Sequence, residues 1–427
     1  MSREPLDRTL NLTQLVFYGM GTMVGAGIYS VVGAAAGEAG TMLWVSFVLA
    51  GAAAFLTVLS YAELSSMFPK TGAEYQFLKT AFPERRVFSF MAGYLIALNA
   101  AATAATVALA FAGYMNVFTE TPPMLTAFLL LVVCTAVNIM GIRQSTWVSI
   151  AFIVVEISGL LLMIWTGFES GDLTKSFAGP VEWDGLPGVF SATALIFFIY
   201  IGFEDVANLS EETRQPKKTI PRALLISVLL TSAIYVLVAL SVIALSDPAE
   251  LADSDSPLAD AAGAVAPWRG GALGIAALFA TASTALISFI SISRMLFGMA
   301  REGDMPKPLA RIWTARKTPW VAALALFGVA CMLLPLGEVK IVAGVSSFGV
   351  LVVFIGVQAA MIALRYRQPA RQRLFRVPLS IGRLPVLPCI GILLTLSLLT
   401  QFPPVVYAVG ALAAAFGAAV YYLHRRA

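Results

Sequence analysis

The stretch Gly19-Met-Gly-Thr-Met-Val-Gly-Ala-Gly-Ile-Tyr29 decides how this chain is read. Its four glycines fall inside an apolar run that extends from about 12 to 36. Glycine within a helix costs roughly 1 kcal/mol relative to alanine, so this run is a helix prepared to unwind. A second interruption lies at Phe197-Phe-Ile-Tyr-Ile-Gly-Phe-Glu-Asp205, where Gly202 sits between aromatics and is followed by two carboxylates. Non-helical backbone at membrane depth survives only where protein buries it or where it lines a cavity. Broken helices at corresponding places in two halves point to a transporter's binding site. Close packing through Gly21 and Gly25, a small-xxx-small spacing, is the competing explanation of the first stretch.

Composition supplies the membrane setting. Of 427 residues, 59% are hydrophobic and 12% charged, against ~25% charged in soluble domains. These proportions exclude a soluble enzyme, a nucleic-acid binder, a disordered scaffold and a secreted disulfide module. The net charge of +4 is too small to suggest a polyanionic partner. The single histidine, His424, argues against a histidine metal site or catalytic triad. Cys134, Cys331 and Cys389 stand far apart in apolar runs and read as buried small hydrophobes. No catalytic residue, metal or cofactor is expected.

Twelve apolar segments lie near 12–36, 41–62, 87–117, 123–141, 146–167, 188–209, 220–245, 271–299, 319–335, 341–365, 384–401 and 404–423. A membrane-spanning helix needs about 20 apolar residues, and these continuous Ala- and Leu-rich runs lack the alternation of a β-barrel. The leader Met1 to Asn11 mixes Arg3 and Arg8 with Glu4 and Asp7 and is not a convincing signal peptide. With the N-terminus inside, every one of the 28 basic residues except Lys175, Arg269 and Lys340 falls on the inner side. The chain is therefore expected to be an all-α protein of the cytoplasmic (inner) membrane, with both termini cytoplasmic. Spans 1 and 6 each open a block of five, which predicts a 5+5 repeat within one transmembrane domain, 1–427. The repeats cover about 12–167 and 188–365, with two extra helices at about 384–423. The outer loops 168–187 and 246–270 are acidic and rich in Gly and Pro.

At these motifs the sequence resembles the amino acid–polyamine–organocation transporter superfamily along nearly its whole length. Thr22-Met-Val-Gly-Ala-Gly-Ile-Tyr29 is similar to the signature of helix 1. Tyr61-Ala-Glu-Leu and Pro69-Lys-Thr-Gly-Ala-Glu-Tyr75 resemble the first cytoplasmic loop. Phe197 to Glu204, with Glu211-Glu-Thr-Arg-Gln-Pro216 and Ile220-Pro-Arg222, resembles helix 6 and the loop after it. Arg294 and Met299-Ala-Arg-Glu-Gly-Asp-Met-Pro306 resemble the end of helix 8. The resemblance implies the inverted-repeat fold of the sodium-coupled leucine transporter. It also implies alternating access between a bundle of helices 1, 2, 6 and 7 and a scaffold of helices 3, 4, 8 and 9. Backbone N–H groups at Gly25, Ala26 and Gly27 are then expected to meet the substrate carboxylate. Carbonyls at Phe198, Tyr200 and Ile201 are expected to meet its amino group, with Met23 and Gly202 completing the two breaks. Half-helix ends of opposite partial charge suit a zwitterion. Phe198 falls where the family places an aromatic over bound substrate, a lipid-facing ring being the alternative.

Glu156 lies ten residues into span 5, about 15 Å at 1.5 Å per residue, and so near the membrane midplane. A carboxylate there is costly, and with no cation at its depth the neutral acid is favoured. Some proton-coupled relatives carry lysine at this position, so a lysine-based coupling scheme does not carry over. Glu156 is the candidate proton carrier, against a permanently neutral acid bonded to backbone. Glu204 and Asp205, just past the second break, are candidates for an inner vestibule or gate, or solvated loop-edge acids. Ser283 and Thr284 fall where sodium-coupled relatives supply hydroxyl ligands, although hydroxyls bonding back to their own helix are commoner. Asn99 aligns near a position where cationic amino acid carriers can place a glutamate, so a neutral amide favours neutral substrates; it can equally bond a neighbouring helix.

The sequence thus predicts a secondary active amino acid transporter, symporter or antiporter, with protons favoured over sodium and the lipid bilayer as its setting. A polyamine, organic amine or cationic amino acid carrier is the alternative within transport. A channel and a membrane-embedded enzyme are disfavoured: there is no repeated pore-lining ring motif, and no span holds a histidine or paired carboxylates at metal-ligand spacing.

Overall fold

The computed structural model describes residues 10–426 except 71, 141–145, 178–185, 302, 304, 315, 317 and 337, with only the backbone of 146–151 and 423–426. Among residues named or counted above, Met1, Arg3, Glu4, Asp7, Arg8, Thr71, Arg143, Glu302, Asp304 and Lys317 lie outside the described residues, as do the side chains of His424, Arg425 and Arg426.

The opening run forms two helices, α1 (Leu12–Val24) and α2 (Ala26–Ala39), with Gly25 alone between them at φ −46° and ψ −149°. Asn11 starts α1 through a reciprocal capping box with Gln14. A 3-10 turn leads into α3 (Leu43–Met67), and the short α4 (Ala73–Ala81) precedes α5 (Arg86–Met115). Next come α6 (Pro123–Met140), α7 (Thr146–Ser170) and α8 (Leu186–Tyr200). The second break follows α8. Gly202 there has φ +122°, a conformation side chains disfavour, before the single turn α9 (Asp205–Asn208) and then α10 (Pro216–Leu245).

The outer segment 246–270 is more ordered than its composition suggests. It holds α11 (Pro248–Asp253) and α12 (Pro257–Val265), each with proline in its first turn, where no amide donor is needed. The chain continues through α13 (Pro267–Arg301), α14 (Trp320–Leu333) and α15 (Val339–Arg367). A small hairpin, β1 (Ser380–Ile381) with β2 (Leu384–Pro385), precedes α16 (Val386–Leu399) and α17 (Pro404–Arg426).

Among the described residues, nine helical segments are long and apolar enough to cross a membrane. Leu12–Val24, Trp320–Leu336 and Val386–Leu399 are shorter apolar helices beside them. The chain is a multi-pass membrane protein. In the interior, α2 runs along α8, α3 along α10, and α5 between α13 and α15. In addition α1 meets α10 while α3 meets α8, and α7 meets α13. Alanine-rich α5 is mostly buried, whereas α6 and α17 leave most of their apolar residues exposed.

One buried charge group holds the end of α3 to the segment after α15. Glu63 is wholly buried and accepts two N–H bonds from Arg365 (2.9 and 2.6 Å). Arg373 Nε (3.0 Å) and the Val377 amide (2.8 Å) also donate to it. Both carboxylate oxygens are thus saturated by four donors, three of them from two arginines, which is the condition for burying an ion.

Candidate functional site

The two breaks face each other. The Thr22 hydroxyl lies 3.0 Å from the Gly202 carbonyl and 3.0 Å from the Gly19 carbonyl of its own helix, either of which can take its proton. A Cβ on Gly202 would lie 2.7 Å from the Thr22 carbonyl oxygen, and one on Gly27 would lie 3.0 Å from Ile199 Cα. Only glycine lets these backbones approach so closely. Tyr235 of α10 sits across the carbonyl ends of α1 and α8. Its hydroxyl is 2.5 Å from the Met23 carbonyl, to which it donates, and 3.3 Å from the Ile199 carbonyl. The Tyr200 hydroxyl donates to the Phe47 carbonyl at 3.2 Å, and its ring meets Tyr235 edge-on at 5.4 Å.

The N-terminus of α2 has no side-chain cap of its own. Instead the Ala26 amide donates to Thr284 Oγ1 of α13 at 3.0 Å. A Cβ on Gly25 would collide with that same hydroxyl. One of the donors expected to meet a substrate carboxylate is therefore held by Thr284. Gly21 instead lies against Ile153 of α7, 2.5 Å from where its Cβ would be. Close packing and helix interruption, rival readings of the glycine stretch, are divided between adjacent glycines.

Glu156 of α7 is 2% exposed, and its Oε1 lies 2.7 Å from Ser283 Oγ. Ser283 Oγ is also 3.0 Å from the Ala280 carbonyl. One hydroxyl proton cannot serve both acceptors at once. With the acid protonated, Glu156 donates to Ser283, Ser283 donates to Ala280, and every partner is satisfied. With the acid ionised, Ser283 must turn its proton to the carboxylate. The Tyr29 hydroxyl donates to the Glu156 backbone carbonyl at 2.9 Å, and the Tyr114 hydroxyl donates to the Tyr29 carbonyl at 3.1 Å. Adjacent residues of α13, Ser283 and Thr284, thus reach two different targets, the acid on α7 and the broken end of α2.

Glu204 is 8% exposed and its Oε2 accepts the Gly202 amide at 2.9 Å, so it braces the second break from within. Asp205 bonds Asn208, whose Oδ1 accepts the Gly72 and Ala73 amides at 2.9 and 3.0 Å. Asn208 thereby caps α4 from a distant part of the chain. Beside this group, Glu74 of α4 accepts the Tyr61 hydroxyl at 3.1 Å, and burial pushes its carboxyl up to about 7.

Asn99 of α5 accepts the hydroxyl of Ser346 on α15, which in turn pairs with Thr103 at 3.0 Å. Phe198 is 4% exposed and does not face lipid. Sequence reasoning missed Tyr235, Thr22 and Tyr29. The available signal for Tyr235 was a lone phenol in the aliphatic run from Leu224 to Leu245. A buried tyrosine hydroxyl needs a partner.

Comparison with known proteins adds a family match and three relatives. The sequence profile of the family described as amino acid permease matches residues 10–423. The chain is 28% identical to the branched-chain amino acid permease BcaP of Bacillus subtilis, over 99% of this chain and 94% of that protein. It is 28% identical to the methylthioribose transporter of Bacillus subtilis over the same shares, and 30% identical to cationic amino acid transporter 4 of Mus musculus over 85% of this chain and 60% of that protein.

Proposed function

The chain belongs to the amino acid permease family, and from that premise we propose that it carries a neutral amino acid by alternating access, coupled to protons or by exchange. The observation that carries this reading is the pair of facing breaks at Gly25 and Gly202. Half-helix ends there present N–H groups from one helix and carbonyls from another, as a zwitterion requires. In this reading Gly25, Ala26 and Gly27 receive the carboxylate once Thr284 yields. The Phe198, Tyr200 and Ile201 carbonyls receive the amino group, and Phe198 covers the substrate. Met23 and Gly202 shape the two ends, while Glu204 and Asp205 hold the inner side closed. Asn99, engaged by Ser346, ties α5 to α15 beside the site. Ser283 and Thr284 serve the proton group and the α2 terminus rather than a sodium ion.

Counting α1 with α2, and α8 with α9, as single interrupted spans gives twelve. The packing supports a 5+5 repeat. Exchanging each of the first five spans for the one five later converts the α1–α10 contact into α3–α8, and α5–α15 into α7–α13. Inward-lying basic residues support cytoplasmic termini and a cytoplasmic-membrane location. A cationic substrate is the second reading, favoured by Glu156 having no cation partner among the described residues.

Counterflow in proteoliposomes tests the carrier. Preloaded unlabelled amino acid is expected to accelerate labelled uptake, and equal rates with and without preload overturn it. A panel of neutral and cationic amino acids scored by thermal stabilisation of the purified protein separates the two substrate readings.

A further inference from the structure

A groove of about 400 Å³ lies away from the helix breaks, where the end of α6 meets the segment leading into α14. Ile139, Ile312, Trp313, Thr314 and Trp320 line it. Its wall is built rather than accidental. The Thr318 hydroxyl donates to the Ile139 carbonyl at 2.7 Å, and the Trp313 amide donates to the Thr318 carbonyl at 2.8 Å. This closes a turn that also carries Arg316, whose amide bonds the Trp313 carbonyl at 3.1 Å.

Two properties of this groove belong together. Its apolar side chains stand open, with Trp313 46% and Trp320 37% exposed. The segment that forms it is basic: Lys307, Arg311 and Arg316 occur with no Asp or Glu anywhere from 305 to 337. Lys307, Arg311 and Arg316 are exposed. Tryptophan favours the membrane–water boundary, and basic pockets between helices on the cytoplasmic side hold anionic headgroups. A soluble anion has no use for the two indole faces, and a zwitterionic lipid has none for the cations.

We propose that this groove is a binding site for an anionic glycerophospholipid of the inner leaflet, its glycerol and upper acyl chain against Trp313 and Trp320 and its phosphate toward Arg311 and Arg316. The inference rests on the inward placement of basic segments proposed above.

The test uses the full chain in nanodiscs containing brominated phosphatidylglycerol or brominated phosphatidylcholine, with tryptophan fluorescence as the readout. Phosphatidylglycerol is expected to quench more strongly. Trp313→Phe with Trp320→Phe should remove that excess. Arg311→Gln with Arg316→Gln, which keeps both indoles, should weaken the preference for phosphatidylglycerol by about thirtyfold, as expected for two basic residues near an anionic surface. Equal quenching by the two lipids overturns the proposal, as does an excess that survives the arginine changes. Loss of the excess on adding millimolar glycerol phosphate also overturns it, since the site would then take a soluble anion. Topology is read apart from this, by labelling Arg316→Cys in intact cells with a membrane-impermeant maleimide. Labelling from outside sinks the orientation while leaving the fluorescence result to stand as it falls.

Discussion

Glu63 and Glu156 are both buried carboxylates, at 0% and 2% exposure, yet their surroundings differ completely. Glu63 receives four N–H donors, three from two arginines and one from a backbone amide. Among the described residues Glu156 has a single serine hydroxyl, which itself has a second acceptor within reach. The first joins α3 to the segment after α15 through two arginines. The second faces one hydroxyl that can turn toward it or toward the Ala280 carbonyl, and it is the proton carrier of the proposed function. Burial alone therefore says little about an acid's role; the count and charge of its donors decide whether it is an anchor or a titrating group.

That contrast can be broken most sharply at Arg365. Arg365→Ala leaves Glu63 buried with one arginine and one amide, and is expected to cost about 3–5 kcal/mol of stability. Chemical denaturation in detergent measures it, and a loss near zero would show that Glu63 is no anchor. Glu74 is an intermediate case, with a tyrosine donor and, among the described residues, no cation bonded to it. Its carboxyl sits near 7 in the folded protein and near 4.5 when unfolded, so the folded state binds more protons between those values. Stability should fall as pH rises from about 4.5 to about 7, by up to about 3 kcal/mol. Glu74→Gln should flatten that slope in pH-dependent melting, and an unchanged slope would assign it to other groups.

Tyr235→Phe removes an uncharged bridge between two carbonyl ends and should cost about 1–3 kcal/mol, read by the same denaturation. It should also raise KM for uptake, because both helix ends lose their restraint. Glu156→Gln should change stability least, by about 1 kcal/mol, since glutamine still accepts from Ser283. Uptake in proteoliposomes should nonetheless lose its response to an imposed pH gradient. Full uptake with that response intact would remove Glu156 from coupling.

The parts of the fold legible in the sequence were those written in local terms. Gly25 and Gly202 announce the breaks because glycine's freedom is a property of one residue, and the long apolar helices follow apolar runs. The Glu63–Arg365–Arg373 group was not legible, since partners some 300 residues apart leave no periodicity to read. The same holds for Thr284 at Ala26 and Asn208 at α4: each cap comes from another helix, so no N-cap pattern precedes the helix it serves. Pro248 and Pro257 read as loop residues by composition, but in the first turn of α11 and α12 they start helices instead.

With substrate received at Ala26 as proposed, the Thr284 hydroxyl on that amide has a kinetic consequence. An empty carrier whose amides were left bare would gain the full strength of every new bond on loading, and would then release its cargo slowly. In the proposed binding mode the Thr284 hydroxyl fills one of those places, so that substrate exchanges one hydrogen bond for another instead of adding one. The difference in free energy between loaded and vacant forms shrinks. In that binding mode neither becomes a trap, and bound substrate leaves more readily. A protein that must let go as often as it takes hold is served by a site with its own internal competitor.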